Sequence, residues 1–196
     1  MKDKPKFKID NTIIKIETAV LVGVISKEQS DEQTTEYLDE LEFLAETDGV
    51  KTLKRFTQKL PHPDNKTYIG KGKLEEIKKY VEEKNVDLIL IDDEISPSQH
   101  RNIEEVLKKR VLDRSMLILD IFAQRARTVQ AKTQVELAQL QYMLPRLKGM
   151  WTHLERQRGG TGTRGGAGEK EIETDRRVAE KKISNLKLDL EKIDRQ

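Results

Sequence analysis

The stretch VDLILIDDEISPSQHRNIEEVLKKRVLD, residues 86–113, decides the fold. Its opening, VDLILI, is a short apolar run closed by acids, and it reads as a buried strand. Ser96 then stands where an N-cap accepts from the free amides of a helix start. Pro97 follows at the first helical position, so SPSQHRNIEEVLKKR reads as a helix. The closing VLD reads as one more short strand before Arg114.

Upstream the same alternation continues. KLEEIKKYVEEKN sets Leu74, Ile77 and Val81 at the spacing of an amphipathic helix, behind a turn-rich link, PHPDNKTYIGKG, at residues 61–72. VKTLKRFTQKL reads as a strand. TTEYLDELEFLAETDG reads as a helix carrying Tyr37, Leu38, Leu41 and Leu44 on its apolar stripe, with Gly49 placed to stop it. TIIKIETAVLVGVI, residues 12–25, is rich in β-branched residues and reads as a strand, or as two with a bend. Strand and helix in turn predict a small α/β layer with a mostly parallel sheet over residues 1–114.

From about Ser115 onward no strand signal recurs. Thr133, Leu137, Leu140, Leu144 and Leu147 follow one another at spacings of four and three, as do Ala179, Ile183, Leu186, Leu190 and Ile193. These are heptad seams, and two seamed helices joined by a link fold back most simply as a long antiparallel, coiled-coil-like hairpin over residues 115–196. Pro145 cannot donate to the carbonyl of Gln141, so it kinks or ends the first of the two helices. The tip loop then covers residues 149–170.

Composition sets the outer limits. Of 196 residues 35% are hydrophobic and 37% charged, a polar balance for a compact globule that suits long solvated helices. The 37 basic and 35 acidic side chains leave a net charge of only +2, so attraction for nucleic acid must come from local clustering. With no cysteine there is neither a disulfide framework nor a thiolate metal site, which fits a reducing cytosol. No apolar run is long enough to span a membrane and the first residues are polar and lysine-rich, so the expectation is a cytoplasmic monomer.

Clustering occurs in RQRGGTGTRGGAGEKE, residues 156–171, which holds six of the eleven glycines. A P-loop needs lysine and then Ser or Thr after its last glycine, on a helix that follows a strand. Here Glu169 separates Gly168 from Lys170, Glu171 follows, and a helix precedes. A dinucleotide fingerprint fails on the same context. Contact with RNA fits better. Arg156, Arg158, Arg164 and Lys170 supply charge and planar forks, while Gly160, Gly165 and Gly168 allow close backbone approach beside the Thr163 hydroxyl. The alternative is a flexible, solvated linker.

The segment from LDRSMLILDIFAQRAR through QVELAQLQY, PRL, GTRG, GE and ETDRR resembles the signature region of the HflX family of ribosome-associated GTPases. The resemblance reaches back through YIGKGKLEEI and ISPSQHRNIEE. It departs at Ala167, where the family usually has proline, and at Lys170, where it usually has threonine. It implies an N-terminal α/β subdomain, a helical hairpin, and then a G domain that binds GTP and Mg²⁺. Family members bind the large ribosomal subunit and split ribosomes, with the hairpin loop directed toward the peptidyl transferase centre. No GxxxxGK[ST] is present and NKTY at 65–68 lacks the aspartate of NKxD. The expectation is therefore the ribosome-binding half without its GTPase, with no cofactor of its own and with large-subunit rRNA and its own G domain as partners.

Other candidates are weaker. Gly70, Lys71, Gly72 and Lys73 stand at a helix entry, where amides and dipole favour an anion or nucleotide phosphate; a plain loop with solvated lysines is the simpler reading. Asp92, Asp93 and Glu94 end the best strand, a place for magnesium-binding or catalytic carboxylates as well as for an ordinary solvated terminus. His62, His100 and His153 share no metal-ligand spacing. In ETDRR, Glu173 and Arg177 are spaced for an exposed ion pair and Asp175 suits a helix start, so with Arg176 they form a candidate loop stem. Trp151 and His153 would stack on bases or pack at the hairpin neck. Arg125 and Arg127 read as packing against the acidic body. Two further functional readings remain: an accessory nucleotide site at residues 70–73, and a hairpin that regulates the G domain by contact.

Overall fold

The computed structural model describes residues 16–146 and 169–195. Four strands, β1 (Thr18–Ile25), β2 (Lys51–Lys59), β3 (Leu88–Ile91) and β4 (Arg110–Asp113), form one sheet in the order β2-β1-β3-β4, every pairing parallel. Helices α1 (Asp31–Thr47), α2 (Lys71–Glu83), α3 (Pro97–Leu107) and α4 (Arg114–Arg125) alternate with them. Past α4 come α5 (Val129–Met143), a 3-10 turn (Leu144–Arg146) and α6 (Glu169–Asp194). No described helix is long and apolar enough to cross a membrane. Residues 12–15 of the first expected strand lie outside the described residues.

The layering follows from chain direction. From β1 the chain steps to β2 on one side, and from β2 it returns past β1 to β3 on the other. Right-handed crossovers then put α1 on one face and α2 and α3 on the opposite one. Alternate side chains of β1 serve the two faces. Val20, Val22 and Val24 meet Leu74, Ile77 and Val81 of α2 and Ile103 and Leu107 of α3. Ala19 and Leu21 meet Leu38, Leu41 and Ala45 of α1 and Met116, Leu117 and Ile121 of α4.

Local signals explain the element ends. Ser30 and Ser96 each close a capping box, with Gln33 and Gln99 as the returning side chains. Gly49 follows α1 at φ 81°, a left-handed conformation that strains any L side chain. Asp64 builds the turn after β2: its Oδ1 accepts from Lys66 N at 2.8 Å and Thr67 N at 2.9 Å. α5 stops at Met143, and Pro145 sits in the 3-10 turn beyond it.

One expected stripe needs correction. Tyr37 is 42% exposed, and the buried face of α1 is Thr34, Leu38, Leu41 and Ala45. The aromatic ring instead faces the Arg114 guanidinium, 5.9 Å away, on a neighbouring element that helical spacing does not reveal.

Candidate nucleic-acid interface

Seven residues of the predicted RNA-contacting set, Arg156, Arg158, Gly160, Thr163, Arg164, Gly165 and Gly168, lie outside the described residues, as do Leu147, Trp151 and His153. Lys170 falls in the first turn of α6, which begins at Glu169, so the helix already runs before Glu173 and Asp175. The stem residues therefore do not open it; Glu169, Lys170 and Glu171 are good helix formers, with acids suited to a helix start. Arg176 and Arg177 are exposed on α6, and Arg176 Nε pairs with Glu180 Oε1 at 3.0 Å.

What the structure does describe is the root of that segment. Asp113 ends β4 and caps α4, its Oδ1 accepting from Met116 N at 3.0 Å. Its Oδ2 accepts from the Tyr142 hydroxyl of α5. Burial, followed by the bond to Asp113, raises the Tyr142 phenol far above its ordinary range. Four residues further along, the buried Arg146 donates from NH1 to Tyr142 O and from NH2 to Ile95 O, both at 2.9 Å. Its guanidinium lies over the Tyr142 ring at 3.8 Å and within 3.9 Å of Asp113 Oδ2. Gln139 adds a bond to the buried Asp120 of α4 at 3.0 Å. Together these bonds tie the end of α5 to the carboxyl edge of the sheet.

α6 lies against α5. Of the residues at the expected spacing, Leu140 on α5 and Ala179 and Ile183 on α6 are buried, and Lys182 Nζ pairs with Glu136 Oε1 at 2.5 Å, while the buried Met143 belongs to the cluster of α1 and α4. Leu137 and Leu144, with Leu186, Leu190 and Ile193, are half-buried. Arg125 and Arg127 are exposed, against the expectation of packing. Arg125 occupies the last turn of α4, where a cation suits the helix dipole without burial.

At the other candidate anion site, Gly70 caps α2 and donates its N–H to Gln58 Oε1 at 2.8 Å, while Lys73 Nζ pairs with Glu76 at 2.7 Å. His100 is buried with Nε2 2.7 Å from Val111 O, and His62 is exposed. Among the described residues no three metal-ligating side chains converge.

Sequence spacing missed Tyr142, Arg146 and Asp113. The available signal was the N-cap position of Asp113 and the four-residue separation of Tyr142 and Arg146 at a proline-terminated helix end.

Residues 35–123 match the family described as GTP-binding GTPase N-terminal, and residues 125–196 match the GTP-binding GTPase Middle Region. The fold and these two regions define the leading portions of a GTP-binding protein of the GTPase class. Over 188 residues the chain is 53% identical to the GTPase HflX of Flavobacterium psychrophilum, covering 96% of this chain and 45% of that one. Against GTPase HflX of Escherichia coli it is 46% identical over 182 residues, covering 92% and 41%. A crystal structure of a GTP-binding protein from Sulfolobus solfataricus in complex with GDP superposes with a TM-score of 0.63 at 28% identity, over 91% of this chain and 46% of that one. A second, of an SsGBP and GDP complex, gives 0.66 at 28% identity, over 91% and 44%. The chain belongs to the HflX family of GTPases and corresponds to its N-terminal part. It spans less than half the length of these relatives.

Proposed function

We propose that this chain is the ribosome-binding part of an HflX-type GTPase, gripping large-subunit rRNA through the basic, glycine-rich segment between α5 and α6. The observation that carries this reading is the family match over residues 125–196, which takes in every basic residue of that segment. Arg156, Arg158, Arg164 and Lys170 supply the affinity by neutralising phosphates, and the glycines permit close approach of backbone amides.

In the same reading the chain divides into an α/β unit, 1–114, and a helical unit, 115–196, in which α5 and α6 form an antiparallel hairpin. The buried Ala179 and Ile183 and the Glu136–Lys182 pair support that arrangement. Arg146 and Tyr142 hold the root of the hairpin on the sheet, which gives the segment a fixed base. The whole protein would work in the cytoplasm as a monomer, splitting or rescuing ribosomes at the expense of GTP. GTP and Mg²⁺ belong to a G domain. This chain has no P-loop to hold them, and no catalytic step is assigned to its residues.

Chemical footprinting of large-subunit rRNA tests the reading. Addition of the chain is expected to protect a compact set of nucleotides, and the protection is expected to vanish when Arg156, Arg158 and Arg164 are replaced by alanine. Protection that is absent, or unchanged in the variant, contradicts it.

A further inference from the structure

β4 is the last strand of the sheet, and Val111 turns both of its backbone groups outward from that edge. Two side chains one helical turn apart on α3 receive them. Glu104 Oε1 accepts from Val111 N at 3.2 Å, and His100 Nε2 lies 2.7 Å from Val111 O. His100 is buried, and the Glu104 side chain is only 19% exposed.

These bonds fix the hydrogen of the imidazole. A carbonyl oxygen accepts and never donates, so the ring hydrogen sits on Nε2. Nδ1 then either bears a second proton or presents a lone pair, and it faces Glu104 Oε2 at 3.7 Å. With an ionised Glu104 and a neutral ring, a carboxylate oxygen is set against a lone pair away from bulk water, which is repulsive. One proton on either atom turns the contact into an attraction, carboxylic acid to imidazole or imidazolium to carboxylate.

The surroundings leave that proton in place. From β4 comes Arg110, whose charge opposes protonation of Glu104 but which also lies 2.9 Å from Glu17 Oε1. Asp113 of β4 is taken by Met116 N and Tyr142, and Arg146 of the 3-10 turn by Ile95 O and Tyr142 O. α2 brings the apolar Ile77 and Val81 to the shared core, and on α3 itself Arg101, Glu105 and Lys108 are exposed. Burial outweighs Arg110 and the Val111 bond and pushes the Glu104 carboxyl up to about 7.

We propose that His100 and Glu104 bind one proton as a unit, and that this proton closes a pH-sensitive clasp between α3 and the edge of β4. When the pair loses it to solvent, past the exposed margin of Glu104, the carboxylate withdraws from Nδ1 and Val111 N–H opens to water. The raised value of Glu104 puts the closed form on the acid side of neutrality, and the form is lost as pH rises through about 7. The clasp belongs to the α/β layer and is independent of the rRNA-contacting reading.

NMR of the isotope-labelled chain tests the clasp. The Glu104 carboxyl carbon and the His100 ring nitrogens are expected to shift together with one midpoint. Val111 amide exchange, corrected for its intrinsic base dependence, is expected to accelerate at least about tenfold from about pH 6 to about pH 9, while Ile89 and Leu90 of β3 keep their protection. Glu104→Gln offers an amide oxygen to Val111 N–H and an N–H to Nδ1 without a titrating group, so its Val111 protection is expected to stay flat over that range. Separate midpoints for the two side chains, or Val111 protection that falls equally in parent and Glu104→Gln, overturn the proposal. Should Glu104→Gln fail to fold, the parent decides alone, since independent titration of His100 and Glu104 rejects the shared proton.

Discussion

The hydroxyl of Tyr142 donates to Asp113, the same carboxylate whose other oxygen caps α4 through Met116 N. One buried acid thereby joins the end of β4, the start of α4 and the end of α5. Tyr142→Phe keeps the ring and removes the donor, leaving a buried carboxylate oxygen without its bond. Urea unfolding is expected to show a loss of about 1–3 kcal/mol. Asp113→Ala, which also removes the cap, is expected to cost more.

Arg146 extends the same anchor. Arg146→Lys keeps the charge but not the planar fork that reaches Tyr142 O and Ile95 O together, so it is not expected to restore stability. Arg146→Met should cost about 2–4 kcal/mol. The more telling measurement is hydrogen exchange: α5 and α6 should exchange faster while β1 and β3 keep their protection. Uniform loss of protection would contradict an anchor that serves mainly the helical part.

Stability should fall as pH rises from about 5 to 8. Burial pushes Glu104 from its usual 4.5 up to about 7, against the opposing bond from Val111 N–H. Burial and the neighbouring Asp120 push Asp48 up to about 7, and burial pushes Asp92 up to about 6. Each group binds more protons folded than unfolded between its ordinary and raised values. The stabilising contribution is therefore complete below the ordinary value and lost as pH passes the raised one. Asp64, held below its usual 3.8 by the amides of Thr67 and Lys66, acts in the opposite sense only in stronger acid.

Glu104 also covers an open sheet edge. β4 ends the sheet, and Val111 N–H goes to Glu104 Oε1 while Val111 O meets His100 Nε2, so α3 side chains take both outward backbone groups. Glu104→Gln keeps an acceptor for that amide and should remove roughly 2 kcal/mol of the pH dependence. A urea midpoint that is flat or rises between pH 5 and 8 contradicts the assignment.

The layers were legible because they are written locally. β3 is four consecutive buried residues, Ser96 and Pro97 mark a helix start, and Leu140, Ala179 and Ile183 follow a seam. What escaped depends on partners far along the chain. Arg146 is buried because Ile95, 51 residues earlier, offers a carbonyl; nothing in LPRL announces that. Asp92 sits in an acidic run that looks like a solvated strand end, and its side chain is buried because α4 brings Arg114 across it. Tyr37 obeys the helical period of its neighbours, yet its ring turns to that same arginine. Burial of polar groups is set by tertiary encounters, which spacing does not encode.

In the proposed function the basic segment between α5 and α6 carries the affinity for large-subunit rRNA. Co-sedimentation with purified large subunits across a salt series tests it most directly, beside a variant with Arg156→Ala, Arg158→Ala and Arg164→Ala. Salt-sensitive binding is expected of the parent, and of the variant weaker binding with a log–log salt slope shallower by about 2–3. Equal binding and equal slope in parent and variant would contradict it, and would move the contact to the α/β layer.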